Sequence, residues 1–367
     1  MSARALATGS VNLGQGFPDV DGPRSIAQAA ADAVMAGRGN QYPPGPGVPE
    51  LRNAIADHQR RFYGLDFDPA TEVFVTAGAT EAVAAAMLAL LEPGDEVIAL
   101  EPYYDSYAAN IAMAGAQRVP VTLRAPDFRP DLAELEAKIT ERTRLILLNT
   151  PHNPTGAVLT GDELQKIANI AIKHDLLVVT DEVYEHLTFD VPHIPIVTFP
   201  GMRERTVSVS SAGKTFSFTG WKVGWITSTR ELVDAVKTAK QFLTFVASGP
   251  FQYAVAEALK LPGEYYEDLR EDLKKKRDLL TAGLADVGFD VYPPDGTYFV
   301  TTDITPLGGT DGIEFCLNLP ERAGVVAIPS ALFYDDKSEG RTKVRFAFCK
   351  RQETLDEALK RLRVLSP

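Results

Sequence analysis

Short apolar runs alternate with helix-patterned stretches through the middle of this sequence, and that alternation restricts the chain to few architectures. Residues 73–76, 96–100, 145–148, 176–180 and 206–209 read as strands. Residues 81–91 read as an Ala-rich helix, and 161–173 as a helix opened by Asp162. Strands that are apolar at successive positions have no solvent face, so both faces of their sheet must be covered. Strands of this kind between helices predict an α/β fold with a mostly parallel mixed sheet. Functional loops in such sheets lie beyond the carboxyl ends of the strands.

After about residue 265 the pattern changes. A long charged helix is expected over 267–283, strands over 289–292, 298–301 and 344–349, and a last helix over 354–365. This predicts a smaller α+β domain. The turn-dense segment Pro43-Pro44-Gly45-Pro46-Gly47 marks where the chain enters the large one. The expected division is a large domain of residues 40–265 and a small domain of 1–39 with 266–367. A chain of 367 residues exceeds the size at which one core stops growing, about 250–300 residues.

Composition excludes several classes. A net charge of −12 lacks the basic field of a nucleic-acid binder. No stretch approaches the run of about 20 apolar residues that spans a bilayer, and residues 1–9 carry no apolar signal-peptide core. The two cysteines, Cys316 and Cys349, have neither metal-ligand spacing nor a disulfide pattern, so buried reduced thiols and no metal are expected. A soluble, cytoplasmic protein follows as the expectation.

Four segments carry chemistry-bearing residues. The first runs from Ser208 through Ser211, Lys214 and Lys222 to Trp225. Gly213-Lys214-Thr215 matches the end of a phosphate-binding P-loop, but that motif needs a glycine where Ser208 stands, and no helical pattern follows. The other reading is a Schiff-base lysine. An amine must be neutral to attack a carbonyl, and burial beside a second cation favours that state. Lys222 can supply the charge and, with Ser211, meet a phosphate. Two surface lysines in a Ser/Gly loop would give the same letters.

The second segment ends a buried strand with Asp181, followed by Tyr184. A carboxylate there can hold a proton on a pyridine nitrogen, the pairing that suits pyridoxal phosphate. It can equally cap a following helix. The third, Asn149-Thr-Pro-His-Asn153-Pro-Thr-Gly156, has two X-Pro steps that predict an extended, rigid loop presenting Asn153 to a phenolate oxygen. The fourth, Thr76-Ala-Gly78-Ala79-Thr80, joins a strand to a helix whose N-terminus offers backbone donors to an anion. It is not a dinucleotide-binding glycine motif. These signals converge on one lysine nucleophile, one ring-nitrogen carboxylate, one phenolate donor and two sets of phosphate ligands.

In this order and at this spacing, the Asn-Pro-Thr-Gly loop, Asp181-x-x-Tyr184, Ser211-x-x-Lys214 and Thr-Gly-Trp-Lys222-x-Gly-Trp resemble the class I aminotransferases, pyridoxal-phosphate enzymes of fold type I. The likeness covers nearly the whole chain. It implies that Lys214 carries pyridoxal 5′-phosphate, that Asp181 pairs with the ring nitrogen, and that Asn153 and Tyr184 meet the ring oxygen. It implies that Tyr104 stacks on the ring and that Gly78, Ala79, Thr80, Ser211 and Lys222 hold the phosphate. Arg345 would grip the substrate α-carboxylate, for which the guanidinium fork is suited, helped by Asn149 and the backbone of Gly16. Tyr42 would reach the phosphate of a partner subunit, making the active unit a homodimer.

The implied reaction is a ping-pong exchange of an amino group between an amino acid and a keto acid, 2-oxoglutarate. Within the class, Asn-Leu-Gly-Gln-Gly16-Phe-Pro-Asp and Glu-Pro-Tyr-Tyr104-Asp-Ser-Tyr are similar to a subgroup containing N-succinyldiaminopimelate aminotransferases and the glutamine, kynurenine and methionine transaminases. Asn-Gln-Tyr42-Pro-Pro-Gly-Pro-Gly and Ser-Gly-Pro-Phe-Gln point to the succinyldiaminopimelate enzymes of lysine biosynthesis. A broad transaminase, or a lyase of cysteine S-conjugates, is the alternative. About ten residues precede Val11, fewer than in such relatives, whose extra helix borders the substrate entrance. Either the start is truncated or the wall at that entrance differs. Phe17, Tyr107 and residues 242–251 are expected to shape the side-chain pocket.

Overall fold

The computed structural model describes residues 1–366. Its centre is a seven-stranded sheet in the spatial order Val73–Thr76, Gly224–Thr227, Thr206–Ser211, Leu177–Asp181, Thr143–Asn149, Glu96–Glu101, Gln117–Thr122. All neighbours are parallel except Gly224–Thr227, which runs antiparallel to both strands it touches. The chain is thus an α/β protein with a mostly parallel mixed sheet.

Pleating explains why these strands are apolar throughout. Successive side chains point to opposite faces. Val97, Ala99, Leu145 and Leu147 join one apolar cluster, while Ile98, Leu100, Ile146 and Leu148 join another on the opposite side. Each buried Val, Leu or Ile stabilises by about 1.5–3 kcal/mol, so neither face can be left wet. The Ala-rich Gly78–Leu90 helix covers the first face, and Gly161–Lys173 the second. The latter is opened not by Asp162 but by Thr160, whose hydroxyl accepts from Glu163 N–H at 3.2 Å while the Glu163 carboxylate takes the Thr160 N–H at 2.8 Å. The reciprocal pair satisfies two donors that the first turn would otherwise leave unpaired.

A second, antiparallel sheet has the order Ile328–Pro329, Lys343–Ala347, Phe299–Asp303, Asp290–Tyr292. The helices Gly263–Val287, Gly312–Ala323 and Gln352–Leu362 contribute to its apolar core. Val11–Asn12 pairs in parallel with Val325–Val326. The Ser2–Thr8 helix packs against Gly312–Ala323, with Arg4 bonded to Glu321 at 2.8 Å. The Arg24–Met35 helix instead packs on Gly249–Leu259, beside the seven-stranded sheet.

Strand register places the site. Asn149 lies beside Asp181, Asp181 beside Val209, and Gly224 between Ser211 and Thr76. These positions form one row along the carboxyl ends of the parallel strands. Gly224 has a steric reason to be there: a Cβ on it would lie 2.5 Å from the Gly78 carbonyl carbon, so only glycine lets the start of the Gly78–Leu90 helix come this close.

Candidate active site

A cavity of roughly 470 Å³ opens over that row. Gly16, Gly78, Ala79, Thr80, Tyr104, Asn149, Asn153, Asp181, Tyr184, Ser211, Lys214, Lys222 and Arg345 all line it. Tyr42 does not. It is 80% exposed, its ring edge-on to Phe245 with centroids 5.3 Å apart.

Lys214 lies in a single helical turn, Ala212–Thr215, directly after the strand that ends in Ser211. A P-loop lysine would instead precede a long helix. Its ammonium position is 5.5 Å from the Tyr184 ring centroid and 5.7 Å from that of Tyr298. Burial pushes the amine below its ordinary pKa; the charges of Arg345 and Lys222 push the same way, opposed by Cys349 and Asp181. A lysine so placed reaches its nucleophilic neutral form more readily than one in water.

Asp181 starts no helix, since a turn follows it. Its Oδ2 accepts the Tyr107 hydroxyl at 2.6 Å and its Oδ1 the Val183 N–H at 3.2 Å. Burial raises its pKa, while these two bonds and the Lys214 charge hold it down. Tyr107 is therefore more than a wall of the pocket. It lies in the first turn of the Asp105–Met113 helix, whose N-cap is Tyr104, and the two rings meet edge-on with centroids 5.8 Å apart.

The segment from Asn149 to Gly156 is a turn rather than an extended loop, with the Gly156 N–H donating to the His152 carbonyl at 2.7 Å. Both X-Pro bonds in it are cis. Asn149 braces it: its Oδ1 takes the Asn153 N–H at 2.8 Å, and its amide donates to the Asp181 carbonyl at 2.9 Å. The Asn153 Oδ1 accepts from Arg345 Nη1 at 2.9 Å, leaving the Asn153 amide protons for a group in the cavity.

Arg345 is held by the flat faces of Phe299 and Phe333, 4.0 and 5.0 Å from its guanidinium carbon, and donates to the Gly14 carbonyl at 3.2 Å. Burial lowers its pKa to about 10, so it stays charged near neutrality. Its Nε is buried without a partner. An unpaired buried donor on a cation is costly unless a ligand meets it, and a carboxylate does so with two oxygens. At the same corner the Gly16 carbonyl accepts the Tyr298 hydroxyl at 2.6 Å.

The remaining corner suits a phosphate. The Gly78–Leu90 helix starts at Ala77 with no side-chain cap, so backbone donors of its first turn are open. A Cβ on Gly78, where φ is +77°, would sit 3.0 Å from Lys222 Nζ. Helix terminus, lysine and Ser211 thus form a cradle fitted to a tetrahedral anion. Cradle, buried amine, ring-end carboxylate and carboxylate-ready arginine fit pyridoxal phosphate bound with an amino acid beside it.

The family profile described as aminotransferase class I and II matches residues 8–362. The chain belongs to this aminotransferase family. It is 53% identical over 378 residues to the probable N-succinyldiaminopimelate aminotransferase DapC of Mycobacterium tuberculosis, covering 100% of this chain and 95% of that protein. It is 41% identical over 366 residues to the methionine aminotransferase of Escherichia coli, covering 100% and 94%. The solved structure of N-succinyldiaminopimelate aminotransferase from M. tuberculosis matches with a TM-score of 0.97 at 54% identity, over 100% of this chain and 96% of that one. The chain is a pyridoxal-phosphate-dependent aminotransferase of fold type I. When bound, the cofactor supplies the carbonyl that exchanges for the amino group and a ring that draws off charge from the substrate Cα. No helix among the described residues is long and apolar enough to cross a membrane.

Proposed function

We propose that this aminotransferase uses N-succinyl-L,L-diaminopimelate as amino donor and 2-oxoglutarate as acceptor. The 53% identity, end to end, to the M. tuberculosis protein carries that reading. In it, Lys214 would hold the cofactor and its amine would move the proton at the substrate Cα. Asp181 holds the ring-nitrogen proton, and Asn153 and Tyr184 donate to the ring oxygen. Tyr104 covers the ring. Gly78, Ala79, Thr80, Ser211 and Lys222 take the phosphate, while Arg345, Asn149 and the Gly16 backbone take the substrate α-carboxylate.

One observation favours a broad methionine- or kynurenine-type transaminase instead. The cations lining the cavity are Lys214, Lys222 and Arg345, each already assigned, and much of the remaining wall is apolar, with Phe17, Ile328, Leu332 and Phe333. The distal carboxylates of the succinylated donor must then be met from a second subunit. The active unit is accordingly a homodimer in which Tyr42 reaches the partner's phosphate. Exposed Tyr42, Phe242, Leu243 and Phe245 support such an interface. Two separate sheets support a division into residues 40–265 and 1–39 with 266–367, although the Arg24–Met35 helix packs beside the larger one. Buried, unpaired Cys316 and Cys349 suit a reducing cytoplasm.

The test is a set of single half-reactions on the cofactor-loaded enzyme, read by loss of the visible cofactor band. Donors are N-succinyldiaminopimelate, glutamate, glutamine, methionine and kynurenine. Fast bleaching by the succinylated donor alone is expected. Faster bleaching by glutamine, methionine or kynurenine would replace the proposal with the broad transaminase. Pyruvate released from a cysteine conjugate without a keto-acid acceptor would indicate the lyase.

A further inference from the structure

The segment that ends in the cofactor cavity has a second side. Asp181 and Tyr184 line the cavity, but Glu182, Glu185 and His186 do not. Glu185 and His186 meet His58 and Tyr63 of the Pro49–Tyr63 helix. His58 Nε2 and His186 Nε2 are 2.7 Å apart, and one Glu185 carboxylate oxygen joins them so that the three ligand atoms lie within 4.8 Å of one another. The assigned reaction uses none of these residues.

We propose that His58, Glu185 and His186 form a zinc site, with water as fourth ligand, that ties the Pro49–Tyr63 helix to the turn carrying Asp181 and Tyr184.

Two imidazoles facing each other through Nε2 can share only one proton, and a dication between them removes that restriction. Zinc–nitrogen bonds of about 2.0–2.1 Å in a tetrahedron place the two nitrogens about 3.3 Å apart. The rings need to part by only about 0.6 Å from their present contact.

The carboxylate is already oriented. Glu185 Oε2 accepts the Tyr63 hydroxyl at 2.7 Å and Oε1 the Ser210 hydroxyl at 2.5 Å. Such outer bonds commonly fix a metal-binding carboxylate. Phe62 and Tyr266 pack on the His186 ring, with centroids 4.7 and 4.5 Å away, which keeps the site dry on that side. His186 is only partly buried and offers an entry path. Two imidazoles and a carboxylate suit zinc better than magnesium or calcium, which prefer all-oxygen sites.

The experiment uses the cofactor-loaded enzyme, stripped with a chelator, dialysed against zinc and assayed for bound metal. About one tightly held zinc per chain is expected, falling to background in His58→Gln and in Glu185→Gln. Crystals of the wild type, measured at the zinc absorption edge, should show the ion about 2.0–2.2 Å from His58 Nε2, His186 Nε2 and Glu185. No stoichiometric zinc in the wild type, or an ion located on other residues, overturns the proposal. So does full binding in His58→Gln. The crystal measurement needs no variant, so a poorly folded substitution does not protect the idea.

Discussion

Replacing Tyr107 with Phe removes one oxygen from the site and leaves the ring packing in place. The lost bond is short, at 2.6 Å, buried at both ends, and made to the carboxylate assigned to the ring nitrogen. A hydrogen bond to a charged group contributes about 1.5–3 kcal/mol, because the alternative is a desolvated charge with one fewer donor. Tyr107 holds the Asp181 proton affinity down against burial, which raises it. Without the hydroxyl, Asp181 attracts a proton more strongly and holds one less well at the ring nitrogen. The ring then draws less charge from the substrate Cα. Converted at about 1.4 kcal/mol per tenfold, kcat should fall by about 10- to 100-fold, with KM for the amino donor little changed. Steady-state kinetics with the best donor measures both. A pH titration of the bound-cofactor absorbance supplies an independent readout, because the form with its proton on the ring nitrogen should be less populated in the variant. A kcat within about twofold of wild type, with an unmoved titration, would show that the Tyr107–Asp181 bond carries none of this load.

Lys214→Ala should abolish turnover while leaving the fold intact by circular dichroism; surviving wild-type turnover would refute Lys214 as the cofactor lysine. Arg345→Lys keeps a charge but loses the fork and the unpaired Nε, so KM for the donor should rise about 10-fold or more with a smaller change in kcat. An unchanged KM would mean that another group binds the α-carboxylate. Gly78→Val puts a β-branched side chain at φ +77° and against Lys222 Nζ, which should weaken cofactor affinity in equilibrium dialysis and cost about 1–2 kcal/mol of stability in urea unfolding. His152 is buried, and burial lowers its pKa to about 3, although the Leu100 and Pro102 carbonyls favour its proton. The unfolded chain therefore takes up this proton below about pH 6.5 and the folded chain only near 3, so stability is complete above 6.5 and is lost as pH falls through that window. Urea unfolding of His152→Gln between pH 4 and 6 should show a slope of stability against pH shallower by about 1.4 kcal/mol per unit. Parallel slopes in variant and wild type would show that His152 titrates normally.

The strands that could be read from the chain are those buried on both faces. Residues 97–100 and 145–148 carry apolar side chains toward both helical layers, and that burial makes the run continuous. Gln117–Thr122 gives no such signal because it is the sheet's edge, exposed at Gln117 and carrying Pro120. Pairing on one side only relaxes the demand for apolar residues, and an edge tolerates a missing N–H. Gly224–Thr227 is hidden for another reason. It is four residues long and lies inside the Lys222 motif, where the glycine answers to the Gly78 backbone rather than to the sheet. Thr160 rather than Asp162 opens its helix because a cap must stand outside the first turn with extended backbone, which Thr160 has and Asp162 does not.

The candidate site divides along the same line. Lys214, Asp181, Asn149 and Ser211 could be located from letters alone because each ends, or directly follows, a strand whose pattern is unmistakable, and parallel packing brings those ends together. Contacts made across elements left no such trace. Tyr107 and Asp181 are 74 positions apart and His58 and His186 128, and nothing in either pair's local pattern names the other. Asn153 is intermediate: its loop was legible, but its carbonyl oxygen is committed to Arg345 by a contact 192 positions away. That contact has a consequence for the chemistry. With its oxygen turned to the guanidinium, Asn153 can present only its amide protons to the cavity, so the group it meets must be an acceptor. In the proposed arrangement Arg345 and the ring oxygen would be linked through this single side chain, and a carboxylate drawn to the arginine would be placed at the same time against the group that Asn153 holds.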